Sequence, residues 1–156
     1  MGKSIFALLA ACVLLFSSPA YGADTLEVIT SPDQAHALFA KAMNEKNLEQ
    51  LCAIYADDAV MVLRSGNLKV QGLSKIRRVF TEMIAALESL ELDIIYQVRS
   101  EDTVLFRSKY RSVYHTSDGV KHDVVSSGIE VLRRQPDGTW LFTIDHHSGG
   151  ENILPN

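Results

Sequence analysis

Four strand-like runs, set close together, dominate the C-terminal part of this 156-residue chain. Leu92–Arg99, Thr103–His115, Val120–Arg134 and Thr139–His147 are rich in β-branched and aromatic residues. Ser100-Glu101-Asp102, Ser117-Asp118-Gly119 and Pro136-Asp137-Gly138 separate them. Each gap is short enough for a hairpin, so the runs are expected to form an antiparallel meander. Two of them are thirteen to fifteen residues long, well beyond the usual ~5–6. A strand of that length in a small sheet must twist and coil. If helices cross its concave side, a conical space is left between the layers, where a ligand could sit.

The helices come first. Ser31-Pro32-Asp33-Gln34 combines a Ser N-cap, Pro at the first helical position and Gln at the third. Ala35, Leu38, Phe39, Ala42 and Met43 follow at helical spacing, which predicts a helix to about Glu45. Asn47 and Gln50 open a second helix with Leu48, Leu51, Cys52 and Tyr55 on one face, ended by Asp57-Asp58. Ala59–Leu63 and Leu68–Gln71 read as paired strands around the turn Arg64-Ser65-Gly66-Asn67. After Gly72 a third helix, about 73–89, turns Leu73, Ile76, Phe80, Met83, Ile84 and Leu87 inward. Three helices followed by a long sheet predict an α+β cone, with the helices packed on one face of a strongly curved, mainly antiparallel sheet.

Residues 1–22 read as a secretory signal peptide. Lys3 supplies the positive end, Ile5–Phe16 is an uncharged apolar run, and Ala20-Tyr21-Gly22 places small residues before a cut after Gly22. The run is too short to span a bilayer, so no stable membrane anchor is expected. Leu9-Ala10-Ala11-Cys12 offers a competing reading as a lipobox, with lipidation at Cys12, but the apolar run continues past that Cys. The expected product is a single domain, 23–156, in the periplasm or outside the cell. It keeps one Cys, Cys52, and so no internal disulfide. A formal net charge of −4 argues against a nucleic-acid partner. No His-x-His, His-Glu-x-x-His or Cys-x-x-Cys is present, so neither a metal nor another cofactor is expected.

Several segments resemble the nuclear-transport-factor-2-like superfamily, in its SnoaL-like and ketosteroid-isomerase-like branches. They are Ala42-Met43-Asn44-Glu45-Lys46-Asn47-Leu48, then Tyr55-Ala56-Asp57-Asp58-Ala59-Val60, and Gly72-Leu73-Ser74-Lys75-Ile76. Gly138-Thr139-Trp140 and Asp145-His146-His147-Ser148 resemble the last strand of the branch holding the calmodulin-kinase association domain. The resemblance spans about 33–149. It implies a cystatin-like cone; a homodimer packed through the open sheet face is the expected assembly, although the fold also forms monomers and larger rings. It is poor in functional content, because the fold hosts enzymes, adaptors and oligomerisation modules alike. Steroid isomerisation fits badly. Leu63 stands where that family has its general base, and Phe39 where it has its oxyanion-hole Tyr. Only Glu130 lies near a retained position, that of the family's protonated acid. The end of the chain also resembles iota-class carbonic anhydrases. His146, Ser148 and Tyr110 match that pattern, whereas Asp145 and His147 depart from it and Ile95 replaces an expected Thr.

The residues able to carry chemistry are few. His146 and His147 are adjacent on a strand and must face opposite ways. His146, sharing a face with Trp140 and Phe142, is the candidate general base, with Tyr110 and Ser148 beside it; His147, on the other face, is a candidate ligand-binding residue. The plain alternative is a capped strand-end His. Glu130 lies mid-strand; facing inward, it would be a buried carboxylate needing a partner or a proton. Tyr55, Glu130, Trp140 and His147 are the expected ligand-binding set. Arg107, Lys109 and Arg111 alternate on one strand face and read as the solvated or subunit-facing side. His115 and His122 flank one turn and could pair across it. Cys52 falls in an apolar stripe and reads as an inert thiol. The expected activity is small-molecule binding. The alternatives are an enzyme in the same pocket, by anhydrase-like hydration or a lyase or isomerase step, and a non-catalytic oligomerisation module.

Overall fold

The computed structural model describes residues 25–63 and 68–150. The signal segment 1–22, Cys12 and the turn 64–67 lie outside them. A 3-10 turn, Pro32–Gln34, leads into α1 (Ala35–Asn44), followed by α2 (Leu48–Ala53), β1 (Tyr55–Leu63), β2 (Leu68–Gln71) and α3 (Leu73–Ala86). Then come β3 (Leu87–Ser100), β4 (Thr103–His115), β5 (Lys121–Ser126), β6 (Ile129–Arg134) and β7 (Trp140–His146).

Local chemistry starts these helices where the sequence says they should start. The Gln34 side chain turns back to accept the Ser31 N–H at 3.1 Å, and Asn47 Oδ1 accepts the Gln50 N–H at 2.9 Å. The ends differ from expectation. The second helix stops at Ala53, and Tyr55 opens β1, opposite Phe142 of β7. The third helix stops at Ala86, because Leu87 turns extended and pairs with Tyr114 of β4. In both places strand pairing outweighs a helical spacing that continues in the sequence.

The strands run in the order β2-β1-β7-β6-β4-β3, with β5 also paired to β4. All neighbours are antiparallel except β1 and β7, which are parallel. β4 is the spine. Its full length pairs with β3, its C-terminal half with β5, and its N-terminal half with β6. The run Val120–Arg134 is therefore one long strand kinked at Ser127-Gly128. Paired hydrogen bonds between Gly128 and Ser108, 3.0 and 3.1 Å, carry the chain across the kink. Gly119 and Gly138 take positive φ, 82° and 87°, in the turns after β4 and β6.

One irregularity matters for function. Val131 pairs with Ile144, but Leu132 pairs with Phe142, so Thr143 is an extra residue on β7. This β-bulge shifts the strand's phase by one, and every later side chain changes face.

The helices cover the concave face. α1 lies on β3, and Asn44 pins it there by giving and taking one hydrogen bond each with the Leu90 backbone, at 2.9 and 2.8 Å. α3 packs on α2 and β1. Ile76, Phe80, Leu51, Met43, Phe106, Leu132 and Phe142 are all but fully buried between the layers. Among the described residues no helix is long and apolar enough to cross a membrane.

Candidate functional site

The layers do not close completely. Between α1, α3 and the concave sheet lies a cavity of about 620 Å³. Aromatic rings and methionines make up much of its wall, among them Phe39, Tyr55, Phe80, Phe142, Met43 and Met83. Set into this wall is one contiguous polar cluster.

Glu130 is its centre. On β6 it faces inward, 7% exposed. The Ser108 hydroxyl of β4 donates to its Oε1 at 2.7 Å, and His36 Nε2 of α1 stands 3.1 Å from its Oε2. Gly128 makes room for this carboxylate, since a Cβ there would overlap Glu130 Oε1 and sit 2.9 Å from Ser108 Oγ. His36 is clamped between the Phe106 and Phe142 rings, at centroid distances of 4.6 and 5.6 Å. With Nε2–H directed at Glu130, its Nδ1 is left as an acceptor, buried and without a hydrogen-bond partner.

Asp145 stands opposite Glu130 on the neighbouring strand β7 and is equally buried. The Tyr55 hydroxyl donates to its Oδ2 at 2.6 Å. Burial, first, and the nearby Glu130, second, raise the Asp145 carboxyl above the ordinary range, outweighing the Tyr55 bond that acts the other way. The same burial, reinforced by Asp145, pushes the Tyr55 phenol well above its usual value. The cluster thus holds one carboxyl that favours its proton beside another that is hydrogen-bonded by a hydroxyl and faced by an imidazole.

Of the residues expected from sequence, Tyr55, Tyr110, Glu130, His147 and Ser148 line the cavity. Two do not. His146 points to the outer sheet face, paired with Ile129 and Val62 and packed against Gly149, because the bulge at Thr143 moves it off the face of Trp140 and Phe142. The same bulge brings Asp145 and His147 inward. Trp140, before the bulge, is a core residue under the N-terminal lead, where its backbone N–H donates to Ile29 O at 2.8 Å. His146 therefore does not join Tyr110 and Ser148 in one site. Sequence reasoning missed His36 and gave Asp145 no part in a pocket. His36, Phe39 and Met43 recur at helical spacing on one face of α1, and this was the available signal.

The remaining candidates have structural surroundings. Arg111 pairs with Asp123 at 2.6 Å and Lys109 with Asp93 at 3.6 Å, both on the outer face. Arg107 donates to the carbonyls of Ser108, Gly128 and Gly150 and ties the turn after β7 to the kink. His115 meets Glu88 at 2.9 Å, while His122 stacks on Tyr114, so the two do not pair across their turn. Cys52 is buried, and burial raises its thiol above the usual value. Among the described residues no three His, Cys, Asp or Glu gather closely enough to hold a metal ion.

A helix-covered curved sheet enclosing one apolar cavity with a polar cluster defines a pocket-bearing cone of the cystatin-like type. The chain belongs to the SnoaL-like domain family, whose model matches residues 35–143. Small-molecule binding and cyclase or isomerase chemistry recur in that family. No curated protein matches the chain. Among solved structures, it is similar to a ketosteroid isomerase-like protein from Erwinia carotovora atroseptica, with a TM-score of 0.65 at 20% identity, over 73% of this chain and 89% of that one. A calcium/calmodulin-dependent protein kinase type II association domain from Thiobacillus denitrificans, provisionally so named, gives 0.63 at 18% identity, over 77% and 95%. A SnoaL-like polyketide cyclase from Shewanella denitrificans, also a provisional name, gives 0.58 at 17% identity, over 73% and 86%. At such identities the likeness concerns the fold.

The raised Asp145 carboxyl has a testable sign. A carboxyl with its folded-state value above the unfolded one favours folding most below its ordinary value of 3.8, and that benefit fades as pH climbs through the folded value. Asp145→Asn keeps an acceptor for Tyr55 and cannot ionise. Urea unfolding at pH 4 and pH 7 is expected to show the variant gaining on the wild type as pH rises. A stability difference that stays flat would mean that Asp145 ionises as freely in the folded chain as in the unfolded one.

Proposed function

We propose that this protein binds a small apolar molecule in the cavity and holds its polar end at the Glu130–Asp145 cluster. One observation carries the reading. His36, Tyr55, Ser108, Glu130 and Asp145 come from five separate elements and converge on one cavity. Burying two carboxylates costs stability unless they are used or fully paired, and functional pockets are where such groups collect.

Catalysis in the same pocket is a second reading, favoured by the contrast between the two acids. A carboxyl that keeps its proton beside one that accepts hydrogen bonds is the arrangement of a general acid and a general base. It would serve a proton shift on the bound molecule. Hydration through His146, Tyr110 and Ser148 gains no support, because His146 faces away from the other two.

Native mass spectrometry of the protein from its own cells, against a denatured control, tests the binding reading. A small hydrophobic species should be present, lost on denaturation, and absent from a Ser112→Trp variant that fills the cavity wall. No retained species, together with no uptake of apolar fluorescent probes, would overturn it. Once a ligand is in hand, its conversion to an isomer resolved by chromatography, or its uptake of deuterium from D2O, lost in Asp145→Asn, would support catalysis, and a ligand unchanged in both respects would count against it.

We read the chain as exported, on the strength of residues 1–22. N-terminal sequencing of protein recovered from its cells is expected to begin at Ala23; an intact Met1 or a lipidated Cys12 would defeat that reading. We also read it as a homodimer through the outer sheet face. Val98, Leu105, Val131, Ile144 and Val60 are successive cross-strand neighbours, forming an apolar row over five strands. Val98 and Ile144 are 58% and 44% exposed, which is costly for a face left in water. Sedimentation velocity should show a dimer that Ile144→Glu converts to monomer; a wild-type monomer would refute it.

A further inference from the structure

The polar cluster has a chemical bias that narrows the ligand class. This step rests on the binding reading above. Glu130, Asp145 and His36 line the cavity; each carboxyl accepts a hydrogen bond from a hydroxyl, and His36 keeps a buried Nδ1 without a partner. Glu82 adds a third acid to the wall. No Lys or Arg lines the cavity among the described residues. Of the two imidazoles that do, His36 already faces Glu130. The site therefore offers acceptors and carboxyl groups, and among the described residues only the imidazoles of His36 and His147 could offer positive charge to a carboxylate or phosphate ligand leaving water.

We infer that the ligand carries a protonated amine on a ring-like apolar body, with the amine seated at Glu130 and Asp145. An ammonium group brings donors to a cluster of acceptors and compensates the charge of a buried carboxylate pair. The surrounding rings suit the same cation. Tyr55 and Phe142 stack at 5.1 Å, Phe39 and Phe80 stand within 6.4 Å of Tyr55, and aromatic faces attract cations. Burial and the neighbouring Glu130 hold Asp145 toward its protonated form. An amine would supply the missing charge and let the carboxyl ionise. Phosphorylated and carboxylated metabolites are rejected by the same charges.

Three probes sharing one aromatic body separate the possibilities: naphthylmethylamine, naphthylmethanol and naphthoate, titrated calorimetrically into the full-length protein at neutral pH. The amine is expected to bind on the order of tenfold tighter than the alcohol, which is the gap between a charge-assisted and a neutral hydrogen bond. Naphthoate should show no binding. In Asp145→Asn and, separately, in Glu130→Gln, the amine-to-alcohol ratio should fall toward one, while Lys109→Gln on the outer face leaves it unchanged. Circular dichroism confirms that each variant is folded, and either acid variant alone suffices. Alcohol binding equal to or tighter than amine binding overturns the amine inference and leaves the cavity reading standing. Naphthoate binding best overturns the inference as well. Binding of none of the three defeats both.

Discussion

The length of β4 is the constraint on which the rest of the molecule hangs. Thirteen residues of one strand must keep their backbone hydrogen bonds satisfied while the strand twists. No single short neighbour can do this, so β3 covers one edge in full and β5 and β6 share the other. The twist bends the sheet away from the helices at one end. At the closed end Phe106 and Leu132 seal the layers; along the rest, Ser108, Tyr110, Ser112 and Tyr114 line an open cavity. The pocket is thus the space that a coiled sheet cannot fill with two helices, and its polar groups sit where β4, β6 and β7 run side by side.

Within that frame the kink between β5 and β6 does two jobs. It lets the strand pair switch halves of β4, and it removes the side chain that would occupy the carboxylate's place. Gly128 has an ordinary φ, so no left-handed backbone demands glycine there. What excludes a larger residue is the approach of Glu130 and Ser108. A fold-level irregularity and a chemical requirement coincide at one position, which is how a general scaffold comes to hold a particular site.

The fold was legible because its signals are local: caps at Ser31 and Asn47, turns at Gly119 and Gly138, and β-rich runs of extreme length. Helix ends were less so. Tyr55 and Leu87 fit helical spacing, and only a partner strand, distant in sequence, moves them into the sheet. The site was legible in part. Glu130, Tyr110 and Tyr55 were readable as chemistry-bearing residues near a concave face, but alternation on β7 gave the wrong His. A bulge is a property of two strands together. Nothing in Leu141-Phe142-Thr143-Ile144 alone says that Thr143 will be unpaired, yet that one residue decides that Asp145 and His147 enter the cavity and that His146 leaves it.

The chemistry here is also arranged differently from the pattern that the sequence resemblance suggested. With Leu63 and Phe39 at the positions of a base and a donor, the helical and β1 walls were stripped of those functions. The structure places a phenol and an imidazole elsewhere: Tyr55 reaches Asp145 from the start of β1, and His36 reaches Glu130 from the first turn of α1. The two pairs are not redundant. Tyr55 serves an acid that burial keeps toward its protonated form, whereas Ser108 and His36 serve one whose oxygens are both occupied. The two carboxyls are direct cross-strand neighbours, and Glu130 raises the proton affinity of Asp145. In the proposed reading, a bound cation would ease the ionisation of Asp145, and a neutral group would leave it to the protein. If the cavity binds as proposed, that pairing would select on charge before shape.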